Sequence, residues 1–150
     1  MAKINNNFKS FNQQFHFLSS RKFVALPHRG AHFFSKDNSD KYLENTHSAF
    51  SKAVELGFTH IETDVHSSKD SVPYVMHDPT LKRLTGENIA LKELTSKDIG
   101  KIRLKGSHVI PRLEETLEEF SSICFNIDAK SWEVTEPLAQ VINKTKTFDR

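Results

Sequence analysis

The stretch His60-Ile61-Glu62-Thr63-Asp64-Val65-His66 decides how this chain is read. Side chains alternate across a strand, so His60, Glu62, Asp64 and His66 share one face and Ile61, Thr63 and Val65 the other. A strand flanked by helices normally reads apolar on both faces. Four polar or charged groups in a row are costly to bury without partners. Two explanations fit this strand equally well. Either a hard cation with oxygen ligands compensates the carboxylates, or the strand lies at a sheet edge with one solvated face.

Working outward, short apolar runs alternate with helical patterns. Phe23-Val24-Ala25-Leu26 predicts a buried first strand ending at Pro27 and Gly30. Residues 35–41 form a loop. Asn45 or Thr46 caps a helix with Ala49, Phe50, Ala53 and Val54 at helical spacing, and Gly57 stops it. The second strand, Thr59 to Val65, follows, and Val72 to Met76 reads as a third. Thr95-Ser96-Lys97-Asp98 has the spacing of a capping box. Pro111 precedes a helix bearing Leu113, Leu117 and Phe120. Phe125 to Ala129 is a fourth strand, and Pro137 opens a last helix with Leu138, Val141 and Ile142. The order predicts an α/β fold with a largely parallel sheet. The short step from Ser67 to Ser71 would equally suit a hairpin.

The fourth strand favours the cation. Asn126, Asp128 and Lys130 share a face, so Asp128 adds a third carboxylate and Lys130 a fixed charge beside it. An ion pair between those two at the surface would be worth little. The acidic groups fall near the C-terminal ends of their strands, where sites lie in parallel α/β folds. The first and third strands end alike, in Pro27-His28-Arg29-Gly30 and in His77-Asp78-Pro79-Thr80. Two imidazoles in one layer can serve as base and acid in one turnover. Arg29 beside one of them suits bidentate binding of phosphate.

The remaining histidines carry a blander reading. His47 is expected on the exposed side of the first helix, and His16 and His108 in polar or loop contexts. A zinc site of His60, Asp64 and His66 ranks lower, because it leaves Glu62, Asp128 and both strand-end histidines unexplained. His32 is near the site by sequence alone. Trp132 and the phenylalanines read as core.

Composition bounds the function further. The 150 residues carry 37% apolar and 27% charged side chains and a formal charge of +2, which fits one soluble domain. No basic face points to nucleic acid. Cys124 cannot form an internal disulfide and reads as a buried, inert thiol, so a reducing, cytoplasmic location is expected. No run approaches the ~20 apolar residues of a membrane span. Residues 1–20 read as a polar, partly helical extension without a secretory signal, with Phe8, Phe11, Phe15 and Phe17 available to dock it. Residues 21–150 read as the domain.

Six motifs occur in register: His28-Arg29-Gly30, Glu44-Asn45-Thr46, Glu62-Thr63-Asp64, His77-Asp78-Pro79-Thr80-Leu81, Ile110-Pro111-Arg112-Leu113-Glu114-Glu115 and Asn126-Ile127-Asp128-Ala129-Lys130. Together they resemble the glycerophosphodiester phosphodiesterase family over residues 23–150. The resemblance implies a TIM-type (β/α)8 barrel and metal-dependent hydrolysis of glycerophosphodiesters, a step of lipid metabolism, to glycerol 3-phosphate and an alcohol. It implies that Glu62, Asp64 and Asp128 hold Ca²⁺ or Mg²⁺ and that His28 and His77 are the acid–base pair. Arg29 and Lys130 would then contact phosphate, and Glu44 would line the site. The family often has Glu where this chain has Asp128, so that ligand reaches less far.

A complete barrel of this type needs about 250 residues. The sequence accounts for roughly the first four strand–helix units. The expectation is therefore a partial domain with an open sheet edge, a hazard in itself. It reads as the N-terminal half of a longer enzyme or a truncated reading frame, whose activity as this piece the sequence leaves open and whose edge self-association could cover. Another barrel phosphodiesterase or phospholipase, or a metal-binding half-barrel without catalysis, is the alternative.

Overall fold

The computed structural model describes residues 24–34 and 40–150. At its centre lies β1 (His60–Ser67), with β2 (Pro73–Val75) on one side and β3 (Cys124–Ala129) on the other, in the order β2-β1-β3. β1 is thus a central strand, which removes the solvated-edge reading of its polar face. β3 runs parallel to β1, pairing Glu62 with Asn126 and Asp64 with Asp128. Residues so paired project to the same face, and this puts the carboxylates side by side.

β2 corrects the expectation of a largely parallel sheet. It pairs antiparallel with β1, Val65 opposite Val75. The turn between them is closed by Ser71 N–H to the Ser68 carbonyl and Ser68 N–H to the Val72 carbonyl, with Ser71 at φ +61°. A parallel partner needs a crossover of about a dozen residues, and this connection has no room for one.

The first predicted strand is also corrected. Residues 24–27 belong to no strand, and Leu26 is 37% exposed. Glu62 N–H donates to the Pro27 carbonyl (3.2 Å), while Met76 N–H takes the Asp64 carbonyl (2.9 Å) two residues on. The β2 hairpin occupies the rest of that edge, so the segment gains one rung of ladder. Phe23, the N-terminal extension, His16 and most of the predicted 35–41 loop lie outside the described residues.

Five helices pack around this sheet: α1 (His47–Glu55), α2 (Lys82–Thr85), α3 (Ser96–Ile99), α4 (Leu113–Glu119) and α5 (Thr135–Thr145). The start at Thr46 and the stop at Gly57 (φ +85°) match the pattern of α1. Thr95 caps α3 by accepting Asp98 N–H. Two buried clusters result. Ile61 and Val65 pack with Phe50, Leu113, Phe120, Phe125 and Val134. The excursion between β2 and α4 closes over Met76, Leu81, Leu91, Ile99 and Leu104. Gly30 (φ +81°) lets the loop after Pro27 press on α1: a Cβ there would meet the Ala49 backbone at 2.9 Å.

Several side chains depart from expectation: Phe33, Phe34 and Phe148, read as core, are exposed, and so is Trp132, while His47 is partly covered. Trp132, read as core, is 89% exposed. The short turn Trp132–Val134 buries Val134 instead. His47 is half-buried against α4. Its Nδ1 meets Glu119 at 2.7 Å, its Nε2 meets Thr116 Oγ1 at 3.1 Å, and its ring stands edge-on to Phe120. The outer edge of β3 is partly covered from within. Phe125 N–H donates to the Arg150 carbonyl, and the Arg150 guanidinium caps the carbonyls of Leu117, Phe120 and Ile123. Cys124 is buried, and burial pushes its thiol up. Among the described residues no helix is long and apolar enough to cross a membrane.

Candidate active site

Alternation along β1 places Asp64 in the interior with no exposure, and every group around it follows from that. A carboxylate taken out of water must be paired and hydrogen-bonded. Asn45 Nδ2–H donates to Asp64 Oδ2 at 2.8 Å, and Arg29 Nε lies 3.3 Å from the same oxygen. The Lys130 ammonium is 2.8 Å from Oδ1 but aligns its hydrogen bond on Asp128 Oδ2 at 2.5 Å. Asp64 Oδ1 and Arg29 Nε are therefore buried close to opposite charge without an aligned hydrogen bond. Burial pushes the Asp64 carboxyl up. Lys130, Asn45 and Arg29 outweigh that and hold it below the usual carboxylate range.

The loop carrying His28 and Arg29 is fixed by its backbone. Arg29 adopts φ +55°, a conformation that costs a non-glycine residue energy, and its N–H donates to Glu62 Oε2 at 2.8 Å. The Arg29 carbonyl accepts Asn45 N–H at 3.0 Å. His28 stands at the rim, 63% exposed, with Nε2 3.9 Å from Glu62. Arg29 Nη1 donates to Glu44 Oε1 at 3.1 Å. Glu44 is in turn held by Arg83 at 2.6 and 3.0 Å. Burial raises the Glu44 carboxyl, but Arg83 and Arg29 bring it below its ordinary value.

At the far end of the same network, His77 Nδ1–H donates to Asp78 Oδ1 at 2.7 Å, and Asp78 accepts two hydrogen bonds from Arg83. The Arg83 bonds, more than any other influence, bring the Asp78 carboxyl down to about 2. His66 Nε2–H donates to the His77 carbonyl at 3.0 Å, and burial lowers the pKa of the His66 imidazole.

The predicted residues thus lie on one polar network that runs from Glu62 through Arg29 and Glu44 to Arg83, Asp78 and His77, with His28 at its rim 3.9 Å from Glu62. A branch leads through Asp64 to Lys130 and Asp128. Asp128 is 53% exposed and meets the site only through Lys130. Three members were given no role in the sequence: Asn45, which read as a cap, Asp78, quoted only within its motif, and Arg83, which no pattern singled out. Asn45 accepts Thr63 Oγ1–H at 2.8 Å while it donates to Asp64, so it locks β1 to the start of α1.

Among the described residues no three His, Cys, Asp or Glu side chains converge as a metal site. The donors nevertheless suit a hard divalent cation. Glu62, Asp64 and Asp128 offer carboxylate oxygens on one face, and Asp64 Oδ1 is a buried acceptor without an aligned donor. The imidazoles proposed for zinc are otherwise engaged, His66 with the His77 carbonyl and His60 with Thr59.

The profile of the glycerophosphoryl diester phosphodiesterase family matches residues 28–148. The probable glycerophosphodiester phosphodiesterase 2 of Mycobacterium tuberculosis is 33% identical over 127 residues, which are 85% of this chain and 46% of that protein. The lysophospholipase D GDPD1 of Homo sapiens is 33% identical over 112 residues, 66% of this chain and 36% of its own length. Among solved structures, the glycerophosphodiester phosphodiesterase of Agrobacterium tumefaciens superposes with a TM-score of 0.69 at 30% identity, covering 82% of this chain and 53% of that one. The Thermotoga maritima enzyme of the same name gives 0.67 at 32%, covering 83% and 51%. The chain spans about half the length of the relatives it matches. With the motifs, the α/β fold and the profile in agreement, the chain belongs to the glycerophosphoryl diester phosphodiesterase family.

Proposed function

We propose that this chain supplies the acid–base, phosphate-binding and cation-binding groups of a hydrolase that cleaves glycerophosphodiesters to glycerol 3-phosphate and an alcohol. One observation supports the reading above all: the partly buried network that links His77 through Asp78, Arg83 and Glu44 to Arg29, Lys130 and the β1 carboxylates, with His28 at its rim beside Glu62. A structural core has no use for so many ionised groups around one strand.

In this reading the substrate's own glycerol hydroxyl attacks phosphorus, and the alcohol leaves from a cyclic phosphate that water then opens. One histidine of the pair His28 and His77 takes the hydroxyl proton, and the other returns a proton to the departing alkoxide. Arg29 and Lys130 draw the non-bridging oxygens into place, and Glu44 keeps the Arg29 guanidinium from swinging away. Glu62, Asp64 and Asp128 would hold Ca²⁺ or Mg²⁺, which when bound lowers the pKa of the attacking hydroxyl and balances charge on the phosphoryl group.

The assay is release of glycerol 3-phosphate from glycerophosphocholine with Mg²⁺ or Ca²⁺ present. Lysophosphatidylcholine, sphingomyelin and phosphatidylinositol run alongside, because the human relative is named a lysophospholipase D. Preference for glycerophosphocholine supports the reading. Turnover of sphingomyelin or phosphatidylinositol alone favours another phosphodiesterase or phospholipase.

A further inference from the structure

No step above falls to Arg83, yet it makes the densest set of contacts in the site. Nε–H and Nη2–H donate to the two oxygens of Asp78 at 2.7 and 3.1 Å. Nη1–H and Nη2–H donate to the two oxygens of Glu44 at 3.0 and 2.6 Å. One planar guanidinium forks onto two carboxylates at once, and a lysine ammonium cannot reproduce that. The side chain starts from α2, a single turn anchored by buried Leu81 and Leu84 and braced by Leu81 N–H on the Ile89 carbonyl.

Asp78 Oδ1, gripped by Arg83, is also the acceptor of His77 Nδ1–H. The His77 backbone is held separately, by His66 on its carbonyl. Rotation of the imidazole thus depends on where the Asp78 carboxylate points, and Arg83 sets that. Glu44 extends the brace to Arg29, on the loop of the other histidine. A carboxylate on Nδ1 fixes which ring nitrogen is left bare.

We propose that Arg83 is a positioning residue: through Asp78 it holds His77 in the Nδ1–H tautomer, so that Nε2 is the nitrogen facing the reaction. The role of Nε2 rests on the phosphodiesterase reading; the tautomer does not. Free neutral imidazole favours the opposite form, with the proton on Nε2, so the site imposes a choice that can be read directly.

The experiment is ring-nitrogen NMR of the ¹⁵N-labelled full chain at about pH 8, above the usual histidine range, with the His77 signals assigned by their loss in His77→Gln. The wild-type ring should show Nδ1 protonated and Nε2 bare. Arg83→Ala, Arg83→Lys and Asp78→Asn should each convert most of the population to Nε2–H or to a mixture. If Arg83→Ala does not fold, Arg83→Lys decides, since it keeps charge and stem but not the fork. A wild-type Nε2–H pattern, or a pattern unchanged in the folded Arg83 variant, overturns the proposal. A lowered Tm with an unchanged ring would mean Arg83 is only structural. In the hydrolysis assay Arg83→Lys should lose about 10–100-fold in kcat with little change in KM. An inactive chain that keeps the wild-type ring pattern counts against the hydrolase reading and leaves the role of Arg83 standing.

Discussion

Asn45 shows how much of the site turns on one amide. It is 3% exposed, adopts φ +56°, donates to Asp64 and accepts from Thr63. Only a carboxamide offers donor and acceptor together, and asparagine is among the few non-glycine residues that enter the left-handed region readily. Asn45→Ala strands a buried carboxylate oxygen and a buried hydroxyl, so urea unfolding should show a loss of about 2–4 kcal/mol. Asn45→Asp should be worse, because it sets a second carboxylate against Asp64. A change within ~0.5 kcal/mol, as for an ordinary surface position, would remove Asn45 from the network. The sequence made Glu62 and Asp64 legible, because strand alternation is local. It could not make Asn45 or Arg83 legible. Asn45 meets Asp64 19 residues away and Arg83 meets Glu44 39 residues away, and the five-residue step from Asp78 to Arg83 matches neither helical nor strand spacing. Trp132 was misread for a related reason. Apolar character alone does not fix burial, and in the turn Trp132–Val134 it is Val134 that is buried.

At the scale of elements, the boundaries of α1 and β3 followed from apolar spacing and end signals, while the direction of β2 did not. A strand of three residues has no pattern that marks its direction, and only the shortness of the turn after Ser67 argues for a hairpin. The loop after Pro27 offers a sharper test. Gly30 combines φ +81° with a 2.9 Å approach to the Ala49 backbone, which cannot yield. Gly30→Ala should cost more than about 2 kcal/mol, and it should loosen the Arg29 N–H bond to Glu62 with it. Hydrogen exchange at Arg29 reads the second effect. Wild-type stability and protection in Gly30→Ala would mean the loop does not seat on α1.

For the whole molecule, ionisation ties stability to pH in one direction. Arg83 above all depresses Asp78 to about 2, Asp64 and Glu44 sit below their ordinary values, and burial depresses His66. Each group binds protons more readily in the unfolded chain, so each adds stability that is present above its unfolded pKa and lost as pH falls through the folded one. Urea midpoints should hold above about pH 7, decline from roughly 6.5 as unfolded His66 charges, and fall further from about 4 toward 2 as the carboxylates protonate. Midpoints that stayed level or rose down to about pH 3 would contradict the charge arrangement around β1.

The proposed function joins these scales, with His28, Glu62, Asp64, His77, Arg29 and Lys130 acting as one catalytic network on a phosphodiester. Its most direct test is glycerol 3-phosphate release from glycerophosphocholine, with Mg²⁺ or Ca²⁺, by the purified chain and by its His28→Ala and His77→Ala variants. The account predicts measurable release by the wild type and a loss of at least about 100-fold in each variant. No release by the wild type, or release that survives either substitution, would contradict it.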